Sequence, residues 1–258
     1  MSKTRTSWSA LLLFVILGLT SSAVAEQAVA KAPALPSARE IIDRHIKALG
    51  GRDALTKFSS HHVRGKVELP SQGMTGEVEI FAARPNRIKV ITSLPGVGQS
   101  MEGYDGTTAW QIHPAMGPRL LEGKELDQSR RLADFYSELH DPAMYRSMET
   151  VGIVPFEGRD CYKLRLVTAF GVEVFEFYDR ATRLFAGTIY AAETPMGSMN
   201  TTNVVTEYKQ TSGVLVPVKT IQRMMGLEVI VTLTSFENDN VPDSAFALPP
   251  EIKALAGK

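Results

Sequence analysis

From His62 onward, apolar side chains recur at every second position in short runs separated by turn formers, and a period of two dictates β-strands. Val78, Ile80 and Ala82, then Ile88 and Val90, then Thr108, Trp110 and Ile112 alternate with polar or charged neighbours. Turn residues stand between the runs at close intervals: Pro70 to Gly73, Arg84-Pro85-Asn86, Pro95-Gly96, Asp105-Gly106, Pro114 and Gly117. Such spacing implies antiparallel meanders. Further runs lie around 150–155, 161–168, 172–179, 184–192, 202–209, 214–222 and 227–236, so the pattern predicts about eleven strands. That many consecutive antiparallel strands must curl, as a closed barrel, a sandwich, or an open and strongly bent sheet filled by something else.

The helical segments decide among these. Ser37-Ala38-Arg39-Glu40 is a capping box, and Ile41, Ile42, His45, Ile46 and Leu49 share the face of a helix that Gly50-Gly51 can end. Leu55 and Phe58 continue that apolar surface. A second amphipathic segment, about 125–139, carries Leu126, Leu132, Phe135, Tyr136 and Leu139. One precedes the sheet and one interrupts it, which suits both to covering a concave face. The expected class is α+β: a strongly curved antiparallel half-open β-barrel whose concave side is covered or plugged by helices.

Lys3 and Arg5, an apolar run from Ala10 to Leu17, and Ala23-Val24-Ala25 read as an export signal with cleavage before Glu26. The run is about half the ~20 residues a membrane-crossing helix needs. No cysteine follows the leader to accept a lipid anchor. The expected organisation is a signal peptide at 1–25, an Ala/Pro/Lys tether at 26–36 and one domain at 37–258, exported to the periplasm without an anchor. Without Lys3 and Arg5 the balance is 26 − 28 = −2, which argues against nucleic acid as a partner. Cys161 is the only cysteine, so the chain can build neither an internal disulfide nor a cysteine metal site.

The motifs of the common enzyme classes are missing: G-x-S-x-G, P-loop, H-E-x-x-H and G-x-G-x-x-G do not occur. His61 and His62 are adjacent in a strand and point to opposite faces, so they suit no common metal ion. No catalytic residue, metal or cofactor is expected. Soft apolar side chains are abundant instead, with nine methionines after Met1, among them Met144, Met148, Met196, Met199, Met224 and Met225. Val172 and Val174 with Phe175 and Phe177, and Leu227, Val229 and Val231 with Ile230, make strands apolar on both faces, which calls for cover on both sides.

Three landmarks resemble, in order, the LolA/LolB-like superfamily of periplasmic lipoprotein carriers and receptors. Ile80-Phe81-Ala82-Ala83-Arg84-Pro85-Asn86-Arg87-Ile88 looks like its strand, Arg-Pro turn and returning strand. Tyr104-Asp105-Gly106-Thr107-Thr108-Ala109-Trp110 looks like its Asp-Gly hairpin, and Phe246-Ala247-Leu248-Pro249-Pro250 like its closing Phe-x-x-Pro. The resemblance spans roughly 37 to 250 and implies an apolar hollow under a helical lid that holds acyl chains. It also implies that Arg84 latches the lid, a role that a five-donor guanidinium suits. The chain departs from the family in its longer strands after Gly152 and its longer tether.

The expectation is therefore a soluble, monomeric envelope protein that holds the acyl chain of a lipid or lipoprotein and exchanges it with membrane-bound donor and acceptor proteins. Ile80, Ile88, Val90, Trp110, Leu132, Phe175, Phe177 and Val229 are the expected lining. Two alternatives stand beside it: a hydrolase using groove carboxylates with His113 and His140, and an interaction module whose groove is filled by its own helices.

Overall fold

The computed structural model describes residues 34–194 and 197–257. The expected signal peptide, the tether up to residue 33 and Met196 lie outside the described residues.

Helix α1 (Ala38–Leu49) starts where its capping box predicts: the Glu40 N–H donates to Ser37 Oγ at 3.3 Å, and the Ser37 N–H donates to Glu40 Oε2 at 2.8 Å. Gly50, with φ 128°, ends it, and a short α2 (Arg52–Leu55) follows. Strands β1 (Ser60–Leu69), β2 (Met74–Ala83), β3 (Arg87–Leu94), β4 (Gly98–Tyr104), β5 (Ala109–His113) and β6 (Gly117–Leu121) then form one meander. After α3 (Gly123–Leu132), a second meander runs through β7 (Tyr145–Phe156), β8 (Arg159–Thr168), β9 (Glu173–Asp179), β10 (Phe185–Thr194), β11 (Gly197–Thr211), β12 (Val214–Met224) and β13 (Leu227–Asn238). A last helix, α4 (Pro250–Ala256), closes the described chain.

All thirteen strands join one antiparallel sheet in the order β6-β5-β4-β3-β2-β1-β13-β12-β11-β10-β9-β8-β7. The first and last strands of the chain pair at its centre, and β6 and β7 remain as edges, so the sheet is an open, half-closed barrel. The expected architecture holds, with two strands more than the pattern predicted. Strand β4 (GQSMEGY) has no apolar alternation to betray it, and β6 contains Pro118, which an edge strand tolerates. At the β1–β13 junction the register shifts at Gly65, where an added Cβ would stand 2.4 Å from the Thr232 carbonyl oxygen, so only glycine lets the halves pair this closely.

Alternation divides the sheet into two faces. The inner one carries Val63, Ile80, Leu164 and Tyr178, and α1 packs on it through Ile41, Ile42 and Ile46 against Leu164, Leu166 and Tyr178. Residues 122–144 must travel from edge β6 to edge β7, and they do so as a strap across this inner face. α3 touches β4, β5 and β10, and Leu126 and Ala133 pack over Tyr104, Ala109 and Ile88. The expected helix at 125–139 is thus shorter than its apolar spacing suggested. It ends at Ala133, where Asp134 Oδ1 accepts the Tyr136 N–H at 3.1 Å, and resumes only as a 3₁₀ turn at Ser137–Leu139.

On the outer face the doubly apolar strands find cover within the sheet itself. Phe156, at the end of β7, stacks on Phe177 with ring centroids 4.0 Å apart, in a cluster with Cys161, Ala186 and Val204. Gly187 makes room for it, since a Cβ there would lie 2.7 Å from the Phe156 ring and 2.2 Å from the Asn203 carbonyl oxygen.

Candidate functional site

The strap does not fill the inner face. Between it, the α1–α2 end and strands β12, β13, β1 and β2 lies a hollow of about 420 Å³, within the range of small-molecule sites. Its floor is Val63, Ile80, Val214 and Phe236, and its roof is Leu55, Phe58, Phe135 and Leu139. The floor follows from register: Val63 of β1 stands opposite Phe236 of β13 on one side and Ile80 of β2 on the other. The roof follows from the helical apolar spacing of 49–58 and 126–139, which leaves those side chains facing inward on the chain connections.

Ile80 in turn stands opposite Val90, and Val90 opposite Glu102, so the same row continues into a second hollow of about 400 Å³. Ile88, Val90, Met116 and Leu132 supply its apolar wall, and Glu102, Gln111, Arg119 and Glu125 its polar wall. Arg119 grips Glu125 through two bonds of 2.8 Å and Gln111 through two more of 3.1 and 2.9 Å. Ile80, which lines the first hollow, and Val90, which lines the second, are register partners.

The strap is held over the first hollow by a short list of polar contacts. The Phe135 N–H donates to the Pro85 carbonyl at 3.1 Å, the Tyr136 hydroxyl to the Phe58 carbonyl at 3.1 Å, and the Phe135 ring stacks on His61 at 4.7 Å. Arg39 Nη1 donates to the carbonyls of Leu139 and His140 at 3.3 and 3.2 Å. His45 Nδ1 accepts the Phe185 N–H at 3.2 Å, so the ring proton sits on Nε2 and is donated to Glu138 at 3.1 Å. Burial, the largest single influence, raises the Glu138 carboxyl, but His45 and His140 together outweigh it and hold the pKa below the ordinary range.

Deeper, His140 Nε2 lies 2.9 Å from Glu176 Oε2, His140 Nδ1 lies 3.3 Å from the Glu138 carbonyl, and the Tyr178 hydroxyl donates to Glu176 at 2.7 Å. Both ring nitrogens face acceptors, so the ring is doubly protonated. Burial opposes that charge, but Glu176 and Glu138 overcome it and raise the pKa to about 9. An imidazolium with both protons donated has no lone pair to offer a substrate. The cluster ties the strap to β9, and His140 itself offers no general base at neutral pH. His113, the other histidine of the hydrolase alternative, caps the β5–β6 turn by accepting the Ala115 N–H at 3.1 Å.

Of the residues expected to line a groove, Ile80 lies in the first hollow, and Ile88, Val90 and Leu132 in the second, with Leu132 half exposed. Trp110 borders the second hollow, but alternation sends its ring to the outer face, over Gly103. Phe175 and Phe177 belong to the outer apolar cluster beside Phe156. Val229 stands opposite Gln222 on the inner face, apart from both hollows. Arg84 is exposed at the turn after β2, and its guanidinium has no hydrogen-bond partner among the described residues. The guanidinium that meets the strap's carbonyls is that of Arg39, in the first turn of α1. The sequence offered only its place in the capping box as a signal, and the Pro85 carbonyl is what ties the Arg-Pro turn to the strap.

No protein-family profile matches the chain, and no curated protein matches it in sequence. Solved structures do match. A DUF1329 family protein from Desulfovibrio piger superposes with a TM-score of 0.56 at 12% identity, covering 81% of this chain and 97% of that one. A LolA superfamily protein from Nitrosomonas europaea gives 0.56 at 12% identity, covering 83% and 99%. A protein described as an outer membrane lipoprotein-sorting domain from Vibrio parahaemolyticus gives 0.50 at 12% identity, covering 85% and 98%. The chain has the LolA-like fold. No helix among the described residues is long and apolar enough to cross a membrane.

Proposed function

We propose, from a fold shared with LolA superfamily proteins, that this chain binds the hydrocarbon of a lipid or lipoprotein in the first hollow and carries it through the cell envelope. The observation that carries this reading is the apolar cavity of about 420 Å³ kept open between the floor at Val63, Ile80 and Phe236 and the strap. A protein-interaction module that its own helices had filled would leave no such space. Each methylene transferred from water adds about 0.8 kcal/mol, so a long chain needs no polar recognition to bind tightly.

The strap performs two tasks in this account. It screens the hollow from water when empty, and its few polar anchors make lifting it inexpensive compared with unpacking α1. Ile80 in the first hollow, with Ile88, Val90 and Leu132 in the second, are the lining residues retained from the sequence pattern. Leu55, Phe58, Val63, Phe135 and Phe236 join them. Release then calls for a competing apolar surface, which a membrane-bound acceptor supplies, and loading calls for a matching donor. This reading calls for no covalent chemistry: His61, the histidine that lines the hollow, bonds to Asn238 and stacks on Phe135, and His140 in the cluster beside it is a protonated clamp. Export without a lipid anchor would place the carrier in the periplasm.

Native mass spectrometry of protein purified from its host, followed by uptake of a fluorescent fatty acid after delipidation, tests the reading. A co-purifying lipid and saturable uptake support it. Protein free of lipid that takes up none removes it.

A further inference from the structure

Alternation sends the two adjacent histidines of β1 to opposite faces. His62 lies on the outer face and is spent on Glu79 at 2.7 Å, while His61 shares the inner face with Val63 and lines the first hollow. Three neighbours fix the His61 ring there. Phe135 of the strap stacks on it with centroids 4.7 Å apart, Phe58 meets it edge-on at 5.9 Å, and Asn238, its register partner on β13, places Oδ1 2.7 Å from Nδ1. Asn238 Nδ2 donates to Ser212 Oγ at 3.3 Å, which leaves its oxygen facing the ring, so His61 Nδ1 carries the proton of that bond.

The neutral ring then keeps a lone pair on Nε2, and no donor meets it among the described residues. Every fully buried side-chain nitrogen or oxygen among those residues has a partner, so the unpartnered Nε2 is open, and the open space its ring borders is the hollow. Burial lowers the pKa of His61, with the Asn238 bond and the Asp239 charge opposing it more weakly, which keeps the ring neutral at neutral pH. The rest of the lining does not supply a donor restricted to that role. The Tyr136 hydroxyl is given to the Phe58 carbonyl, Glu138 brings a second acceptor, and Ser137 and Thr211 carry hydroxyls that both give and take. No Lys or Arg lines the hollow among the described residues.

We infer that the amphiphile held in the first hollow is uncharged and carries a hydroxyl, whose O–H donates to His61 Nε2 while its hydrocarbon lies along Val63, Ile80 and Phe236. One hydroxyl supplies the one donor that a fixed lone pair requires. An anionic head would meet the Glu138 carboxylate with no cation in the lining to balance it, and an ammonium would bring three N–H donors to an apolar space with a single free imidazole acceptor. The chain supplies the affinity and His61 selects the head. The inference rests on the carrier reading above and names its ligand class.

Dodecanol and its isomer 1-methoxyundecane separate the two ideas, since they share one formula and only the alcohol has an O–H to donate. Both are titrated against delipidated wild type and His61→Phe, which keeps an aromatic ring beside Phe135 but has no lone pair; far-UV circular dichroism establishes that the variant folds. The ratio of alcohol to ether affinity is expected to fall about five-fold in the variant, the worth of one neutral hydrogen bond. Nitrogen-15 NMR of the wild type needs no variant: dodecanol should move the His61 Nε2 resonance toward that of a protonated nitrogen, and methoxyundecane should not. A ratio unchanged in His61→Phe, an Nε2 resonance that dodecanol leaves in place, or tighter binding of dodecanoate or dodecylamine than of dodecanol overturns the head-group inference and leaves the groove intact. Failure of all four ligands to bind overturns both.

Discussion

The clamp at His140 makes the hold of the strap on the sheet depend on pH, with a sign fixed by the two acceptors that face its ring. In the folded chain both ring nitrogens donate, to Glu176 and to the Glu138 carbonyl, and the pKa stands at about 9 against an ordinary value of 6.5. Below pH 6.5 the folded and unfolded chains both hold the proton, and the whole contribution is present. Between those values only the folded chain holds it, so unfolding releases a proton and stability falls as pH rises. Above about 9 neither holds it and the contribution is gone. The difference corresponds to about 3 kcal/mol. His140→Asn is the suitable variant, because Asn tolerates the left-handed backbone found there, φ 48°, but cannot reach Glu176. Urea denaturation of both proteins from pH 6 to 10 gives the assay. The wild type should exceed the variant by about 3 kcal/mol at pH 6, with the gap closing toward pH 9 to 10. Subtracting the variant removes the other groups that titrate in this range, and Asp134, Glu138 and Arg131, which face the clamp, are common to both proteins. A gap that stays constant across the range would refute the protonated clamp.

Other consequences follow from the same coordinates. Arg39→Gln removes the donor to the Leu139 and His140 carbonyls and should cost about 1–2 kcal/mol, read as faster limited proteolysis within 133–144. Ala54→Trp places an indole in the first hollow, and should lower fatty-acid affinity about ten-fold or more while leaving the thermal unfolding midpoint within a few degrees. Gly187→Ala drives a methyl group against the Asn203 carbonyl and the Phe156 ring, and should cost about 1–3 kcal/mol in urea denaturation without touching the inner face.

How far the residues foretold this arrangement depends on the range of the interaction concerned. Helix α1 was legible because the Ser37–Glu40 box and Gly50 act within a single turn. Most strands were legible because alternation is local too, and β4 escaped since Gly98, Ser100, Glu102 and Gly103 lend it no apolar beat. The face of Trp110 was not legible: its ring lies on the side opposite Ala109, and a one-residue choice of register decides that. Phe175 and Phe177 were correctly recognised as needing cover, but the cover is Phe156, which reaches them only because β7 and β8 pair to their ends. The first hollow escaped for a similar reason. Val63 meets Phe236 across the β1–β13 junction, a pairing of chain ends that no local pattern announces, and of the residues expected to line a groove only Ile80 lies here, although Leu55, Phe58, Phe135 and Leu139 were legible as apolar helix surface. Arg39 rather than Arg84 reaches the strap because α1, and not the Arg-Pro turn, lies beside the carbonyls of 139 and 140.

The most direct test of the central claim is to ask where a hydrocarbon tail lies when bound. A fatty acid with a photoreactive diazirine near its terminal methyl, irradiated in complex with the delipidated protein and mapped by peptide mass spectrometry, reports that position. The account predicts adducts on the peptides that carry Leu55, Phe58, Val63, Ile80, Phe135 or Phe236, and their suppression by excess unlabelled fatty acid. Adducts confined to the outer cluster around Phe175 and Phe177, or spread over the surface and insensitive to competitor, would contradict it.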